Sequence, residues 1–277
     1  MSKLDVLAIG PHPDDVELGC GGTLALAARQ GRRVGILHLT RGERGTRGTP
    51  EQRLAEAEQA AAALGAVELA FLDCGDGALR HGEPEEEAVI EVLRTWRPEL
   101  VLGPPRHDRH PDHERGHRLV AAAAFYSGLQ ARGSRAMAAH RPAAVFSYMQ
   151  HLTFVPSFVV DVTAVWEAKM AALAAYRSQL YQPGGGGGGA DSGVSGATGG
   201  HRESRGQGIS AEAGLAKDSG ASNGPPTKVS SREFRLAVEG RARHFGQLIG
   251  AELGEPFWSP QPLAVADLLA LLPGGPR

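Results

Sequence analysis

The sequence predicts an α/β fold: a mostly parallel sheet with helices on both faces, in one domain that carries an insertion. Three observations predict it. Short apolar runs alternate with helical stretches of roughly 10–15 residues through the first two thirds of the chain, the pattern of βαβ units. Most of those apolar runs or the helices after them end in a glycine or a turn signal. Of the 277 residues, 42% are apolar, enough to bury a sizeable core.

In chain order, Val6–Ile9 is a short apolar strand ending at Gly10. A helix is expected from about Thr23 to Gln30, stopped by Gly31, then a strand from Arg33 to Leu39. Thr49-Pro50-Glu51-Gln52 has a capping-box pattern with proline at the first helical position, opening a helix that runs to Leu64 before Gly65. Val67–Leu72 is a third strand, Pro84–Thr95 a helix, and Leu100–Gly103 a fourth strand. Asp112 is placed to cap a long helix from His113 to about Leu129. Ala144–Met149 and Phe158–Val162 follow as strands, and Val165–Leu180 as a helix. Ser230-Ser231-Arg232-Glu233 reads as a second capping box, opening a helix to about Leu253. The order of elements is Rossmann-like.

Residues 1–182 and 231–277 are thus assigned to one domain. Residues 183–230 hold the run Gly184–Gly189, then serine, alanine, asparagine and the Pro225-Pro226 pair. Such a stretch buries too little apolar surface to offset its ordering entropy, so it is expected to be a disordered surface insertion. The formal net charge is -2, which argues against a nucleic-acid binder, a class that carries clustered basic excess. No apolar run approaches the ~20 residues that span a bilayer, and the N-terminus lacks the pattern of a secretory signal. With only Cys20 and Cys74, a disulfide framework is ruled out, and a soluble cytoplasmic protein is expected.

Ligands of open α/β sheets sit at the carboxyl ends of strands, and two unusual segments fall there. One is Gly10-Pro11-His12-Pro13-Asp14-Asp15-Val16-Glu17, running on into Gly19-Cys20-Gly21-Gly22. The other is Arg106-His107-Asp108-Arg109-His110-Pro111-Asp112-His113. The glycines do not fit G-x-G-x-x-G, and two carboxylates would face a bound pyrophosphate, which counts against a nucleotide site. A metal reading fits better. His12, Asp15 and a histidine of the second segment make a His₂Asp set with an open position, the arrangement of catalytic zinc. Asp14, adjacent to a ligand, is then available as a proton acceptor. A His₂-carboxylate set also suits ferrous iron.

PHPDDVELGCGG followed by HPDH resembles the PIG-L/LmbE-type zinc-dependent N-deacetylases. LTRGERGTRGTPEQRLAEAEQAAAALG, DRHPDH, PSFVVDVT, AYRSQL and GEPF make it most similar to the bacillithiol-biosynthesis branch, which removes acetate from N-acetylglucosaminyl-malate. The resemblance implies that His12, Asp15 and His113 hold Zn²⁺ and that Asp14 is the general base. It implies that His110 is the electrophile or acid and that Asp112 orients it. Arg53 matches a substrate-contacting arginine. Asp76 and Arg109 are further candidates for substrate contact, and Arg41, Arg44 and Arg47 for the malate carboxylates. Some relatives carry a tyrosine where this chain has Asp108. The Asp112 carboxylate is expected to keep the His110 ring protonated over part of the neutral range. Glu17 is a candidate brace of the metal loop, and His38 and His151 are candidates to line the site. The resemblance further implies a small acetamidosugar substrate and a homo-oligomer, a hexamer among the forms it allows. The alternatives are deacetylation of other GlcNAc derivatives or chitooligosaccharides, hydrolysis of a mycothiol-conjugate-type amide, and a non-catalytic nucleotide-binding module.

Overall fold

The computed structural model describes residues 3–134, 136–182 and 224–266. Met1–Tyr181 and Asn223–Arg277 form one compact unit. Residues 183–223, most of the expected insertion, lie outside the described residues.

Seven strands form one sheet: β1 (Val6–Gly10), β2 (Val34–His38), β3 (Glu68–Phe71), β4 (Leu100–Gly103), β5 (Ala144–Tyr148), β6 (Phe158–Asp161) and β7 (Gly254–Trp258). Their order is β3-β2-β1-β4-β5-β7-β6. The first five run parallel. β7 runs antiparallel to both β5 and β6. The helices are α1 (Asp15–Arg29), α2 (Pro50–Leu64), α3 (Glu83–Trp96), α4 (Pro111–Tyr126), α5 (Trp166–Ala175) and α6 (Arg232–Leu248).

Alternation along β1 divides the core. Leu7 and Ile9 pack with Val89, Ile90 and Leu93 of α3 and with Leu119, Val120 and Ala123 of α4. Ala8 faces the other way, into a cluster with residues of α1, α2, α5 and α6. The mostly parallel sheet with helices on both faces is therefore as the sequence predicts.

The boundaries differ where tertiary contacts decide them. α1 starts at Asp15, not Thr23, and breaks at Cys20 (φ -145°, ψ 19°). Its glycines read as a loop, yet they let it pack closely: a Cβ at Gly19 would clash with the edge of the Tyr148 ring, and one at Gly22 would meet Val162 and Glu255. The break is held by a buried ion pair. Lys169 Nζ donates to the Leu18 carbonyl, which ends the first half, and to Glu255 Oε1 at 2.6 Å. Glu255 accepts from the backbone N–H of Gly22 and Thr23, which begin the second half.

Thr49 caps α2 with both halves of the expected capping box. α6 is capped by Ser231, which accepts from Phe234 N, so the cap sits one residue later than the Ser230–Glu233 pattern suggests. α5 ends at Ala175, five residues earlier than expected, as the chain turns so that Ser178 can bond to Glu56. α6 ends at Leu248, before Gly250 takes φ +74°. β7 has no strand signature in the sequence because Pro256 interrupts it. Its ladder to β5 spans only Phe257 and Trp258, so Pro256 pairs with β6 alone.

Candidate active site

The parallel strands deliver side chains to one edge of the sheet. β1 and β4 are neighbours although α1, α2, α3, β2 and β3 lie between them in sequence. This is the switch point at which the order reverses, and the loops after β1 and β4 converge there.

The β1 loop turns tightly. His12 N donates to Asp15 Oδ2 at 2.9 Å, and Asp15 N to the His12 carbonyl. Asp14 takes φ 107°, a conformation that L residues rarely adopt and that is held by its surroundings. Those surroundings include Arg53, whose guanidinium donates to the carbonyls of Pro13 (2.7 Å) and Gly42 (3.2 Å) and lies 3.9 Å from Asp14 Oδ2. His38, at the end of β2, lies 3.1 Å from the His12 carbonyl through Nδ1.

His12, Asp15 and His113 come together. Asp15 Oδ2 lies 3.1 Å from His12 Nδ1, and Asp15 Oδ1 lies 3.3 Å from His113 Nε2. The outer edges of both imidazoles meet carboxylates. His12 Nε2 is 3.2 Å from Asp76 Oδ1 and 3.2 Å from Asp112 Oδ2. His113 Nδ1 is 2.6 Å from Asp108 Oδ2. Gln150, after β5, donates Nε2–H to Asp15 Oδ1.

His110 belongs to the same cluster, with ring centroids 4.7 Å from His12 and 5.2 Å from His113. It is also the N-cap of α4, the place expected for Asp112: its Nδ1 accepts from Asp112 N at 3.2 Å. The structure corrects the Asp112 assignment in a second respect. The Asp112 carboxylate does not orient His110; it meets His12 and accepts from Leu79 N and Arg115.

The remaining candidates are placed as follows. Asp76 is buried against His12 and accepts from Arg44 N, so its carboxylate is already engaged. Arg109 is exposed on the β4 loop. Arg47 is committed to the carbonyls of Ser178, Gly224 and Pro225, whereas Arg41 and Arg44 are exposed. Glu17 is fully buried and accepts from the Tyr176 hydroxyl at 2.9 Å. His151 stacks on His113 at 5.7 Å.

Electrostatics separates the carboxylates. Burial lifts the Asp14 pKa to about 7, against the opposing pull of Arg53 and with Asp15 adding to the rise. Burial acts the same way on Asp15, but His113 and His12 hold it well below the usual range. Burial disfavours charge on His12 and His113, yet the carboxylates prevail: Asp112, Asp15 and Asp76 raise His12, and Asp15 and Asp108 carry His113 to about 9. His110 goes the other way. Burial, then His12 and His113, lower its pKa, so the expectation of a protonated ring is overturned. The carboxylate that was to charge it faces His12 instead. With Nδ1 accepting a backbone N–H, His110 is a neutral ring presenting Nε2–H.

The cluster fits a divalent cation. Several buried carboxylates surround two imidazoles whose pKa values they raise, so the site favours positive charge. Asp15 bridges the two imidazoles with different oxygens, Oδ2 at 3.1 Å from His12 Nδ1 and Oδ1 at 3.3 Å from His113 Nε2. Among the described residues it is His12, His110 and His113, with His110 in the place expected for Asp15, that bring one donor atom each within 4.8 Å of one another; His12, Asp76 and Asp112 do so on the outer edge of His12.

The model of the GlcNAc-PI de-N-acetylase family, PIG-L, matches residues 7–124, which span β1 to most of α4. The diacetylchitobiose deacetylase of Thermococcus kodakarensis is 32% identical over 186 residues, covering 63% of this chain and 70% of that protein. The chain belongs to the PIG-L family. A second PIG-L relative, the probable N-acetyl-alpha-D-glucosaminyl L-malate deacetylase 2 of Bacillus cereus, is 30% identical over 193 residues, covering 63% of this chain and 83% of that protein. The crystal structure of the conserved protein TT1542 from Thermus thermophilus superposes with a TM-score of 0.74 at 32% identity, over 96% of this chain and 98% of that one. Family membership places the chain among deacetylases of GlcNAc-derived substrates. No helix among the described residues is long and apolar enough to cross a membrane.

Sequence reasoning missed Asp108 as a partner of His113 and Gln150 as a partner of Asp15. A carboxylate five residues before a candidate ligand on the same loop was a usable signal for Asp108. Gln150 arrives from a distant strand and had none.

Proposed function

We propose that this PIG-L chain is a metal-dependent hydrolase that removes acetate from an N-acetylglucosamine conjugate, with N-acetylglucosaminyl-L-malate as the preferred substrate. The observation that carries it is the Asp15 carboxylate shared between His12 and His113, with Asp14 beside it at a pKa of about 7. His12, Asp15 and His113 would hold Zn²⁺, or Fe²⁺ in the cell. A cation there would polarise the acetamide carbonyl and make a water more acidic. Asp14 takes the proton of the attacking water, a role for which a pKa near the working pH is optimal. His110 donates Nε2–H to the carbonyl oxygen as negative charge builds on it. When the C–N bond breaks, Asp14 returns its proton to the amine nitrogen. The products are acetate and a free amine.

The malate reading is supported by the Bacillus cereus relative's name and by the exposed Arg41, Arg44 and Arg109 on the β2 and β4 loops, cations suited to two carboxylates. Diacetylchitobiose is the second reading, supported by the Thermococcus relative. Acetate release is measured on N-acetylglucosaminyl-L-malate, diacetylchitobiose and free GlcNAc, with and without a chelator. The highest kcat/KM on the malate conjugate, abolished by chelation and restored by Zn²⁺, is expected. A preference for diacetylchitobiose sinks the malate assignment, and chelator-resistant turnover sinks the metal.

A further inference from the structure

Asp108 stands on the loop between β4 and α4 with its side chain fully covered, and its carboxylate has no capacity left for a ligand. Oδ2 takes His113 Nδ1 at 2.6 Å and His151 N at 3.3 Å. Oδ1 takes Arg109 N at 2.7 Å and Leu152 N at 2.9 Å. The grouping of Asp108, His113 and His151 brings donor atoms within 4.8 Å, yet these four N–H groups leave Asp108 no free lone pair to offer a second cation. Its geometry serves another end. An imidazole that donates Nδ1–H to a carboxylate has its proton fixed there and its Nε2 lone pair free. Nε2 is the atom of His113 that faces Asp15.

We propose that Asp108 is the positioning residue of the metal site: it fixes the tautomer and ring plane of His113, and it does so from a carboxylate anchored to the loop after β5. Through the N–H groups of His151 and Leu152, that loop, which also supplies Gln150 to Asp15, is tied to the β4 loop. This rests on His113 being a ligand, as proposed above. His113 itself is not a free rotor at the end of a helix. Its orientation is set by an anion whose own position is over-determined by three backbone donors.

Two variants separate positioning from mere structure. In Asp108→Ala the ring is released but can still choose the Nδ1–H form. In Asp108→Asn the amide must point its NH₂ one way or the other. Turned toward Arg109 and Leu152 it would leave two N–H groups without an acceptor, so it faces His113 and His151, where only one weak backbone bond is lost. There it donates to Nδ1, drives the His113 proton onto Nε2, and blocks the ligand atom. The isosteric substitution is therefore expected to be the worse one for metal and the milder one for folding.

Zn²⁺ affinity is measured by competition with a chromophoric chelator for wild type, Asp108→Ala, Asp108→Asn and His113→Ala, alongside urea midpoints of the metal-free proteins. Losses of about 10-fold in Asp108→Ala and toward 100-fold in Asp108→Asn are expected, the range for lost support of a metal-binding histidine. The urea midpoints should fall in the opposite order. Affinity within about threefold of wild type in Asp108→Asn, or a larger loss in Asp108→Ala than in Asp108→Asn, overturns the inference. If His113→Ala binds Zn²⁺ as wild type does, it is the ligand set itself that fails.

Discussion

The proposed roles give adjacent aspartates opposite tasks, and the surroundings of the two differ. Asp15 faces two imidazoles that stabilise its charge, whereas for Asp14 burial outweighs the opposing pull of the Arg53 guanidinium 3.9 Å away and of His12 and His113. Groups driven apart in this way are how a site obtains a ligand and a base from the same residue type. Asp14→Asn should therefore keep stoichiometric zinc by plasma emission analysis and lose on the order of 10²–10⁴-fold in kcat, the contribution of a positioned base. His113→Ala should lose zinc and activity together. Near-normal turnover in the first variant, or full zinc content in the second, would reverse the assignments. Arg53 carries its charge to a structural end as well: it ties the loop after β1 to the loop after β2 through the Pro13 and Gly42 carbonyls.

At the scale of elements, the break in α1 is what sets the first turn of that helix, with Asp15 and Glu17, apart from the remainder that packs as an ordinary helix. A broken helix exposes orphan carbonyls on one side and orphan N–H groups on the other. The buried Lys169–Glu255 pair satisfies both, Lys169 at Leu18 and Glu255 at Gly22 and Thr23. Removing one partner of such a pair leaves an uncompensated charge. Lys169→Met should cost roughly 3–5 kcal/mol in urea denaturation. Lys169→Met combined with Glu255→Gln should cost less than the sum of the two single changes, because the neutral amide can still accept from the helix and no charge is stranded. Strictly additive losses would show that the two side chains act independently.

At the scale of the whole molecule, the described segments before residue 183 and after residue 223 are bonded to each other. One guanidinium, that of Arg47, bonds the Ser178 carbonyl on one side and the Gly224 and Pro225 carbonyls on the other. Val229 also packs against the core, so residues 224–230 have a place in the fold although they were assigned to the insertion. Replacing residues 184–222 with a short Gly/Ser linker is expected to leave a folded enzyme with kcat/KM near that of the full chain, since closure entropy changes by only about 0.6 kcal/mol per doubling of loop length. A shortened protein that folds, by circular dichroism and melting, but loses most of its kcat/KM would give that stretch a role in substrate handling.

Local periodicity and rare residue combinations carry the features that are legible in the chain alone. The alternation of short apolar runs and helices specified the parallel core from Val6 to Tyr148, and Thr49-Pro50 specified the start of α2 to the residue. The two polar segments at strand ends pointed to His12, Asp15 and one histidine of the second segment, because clustered histidines and aspartates have few uses in a buried turn; the choice of His113 came from the family resemblance. Features that depend on partners distant in the chain needed the folded molecule. Gly19 and Gly22 sit in a helix only because Tyr148 and Glu255 approach too closely for any side chain. Pro256 joins a strand because the residue has a neighbour on one side only. Asp112 was matched to His110, two positions away, but its carboxylate turns to His12, a hundred residues earlier, while Asp108 takes His113. Which carboxylate serves which histidine is a matter of side-chain direction across the converging loops of β1 and β4. Spacing along one loop carries no record of it.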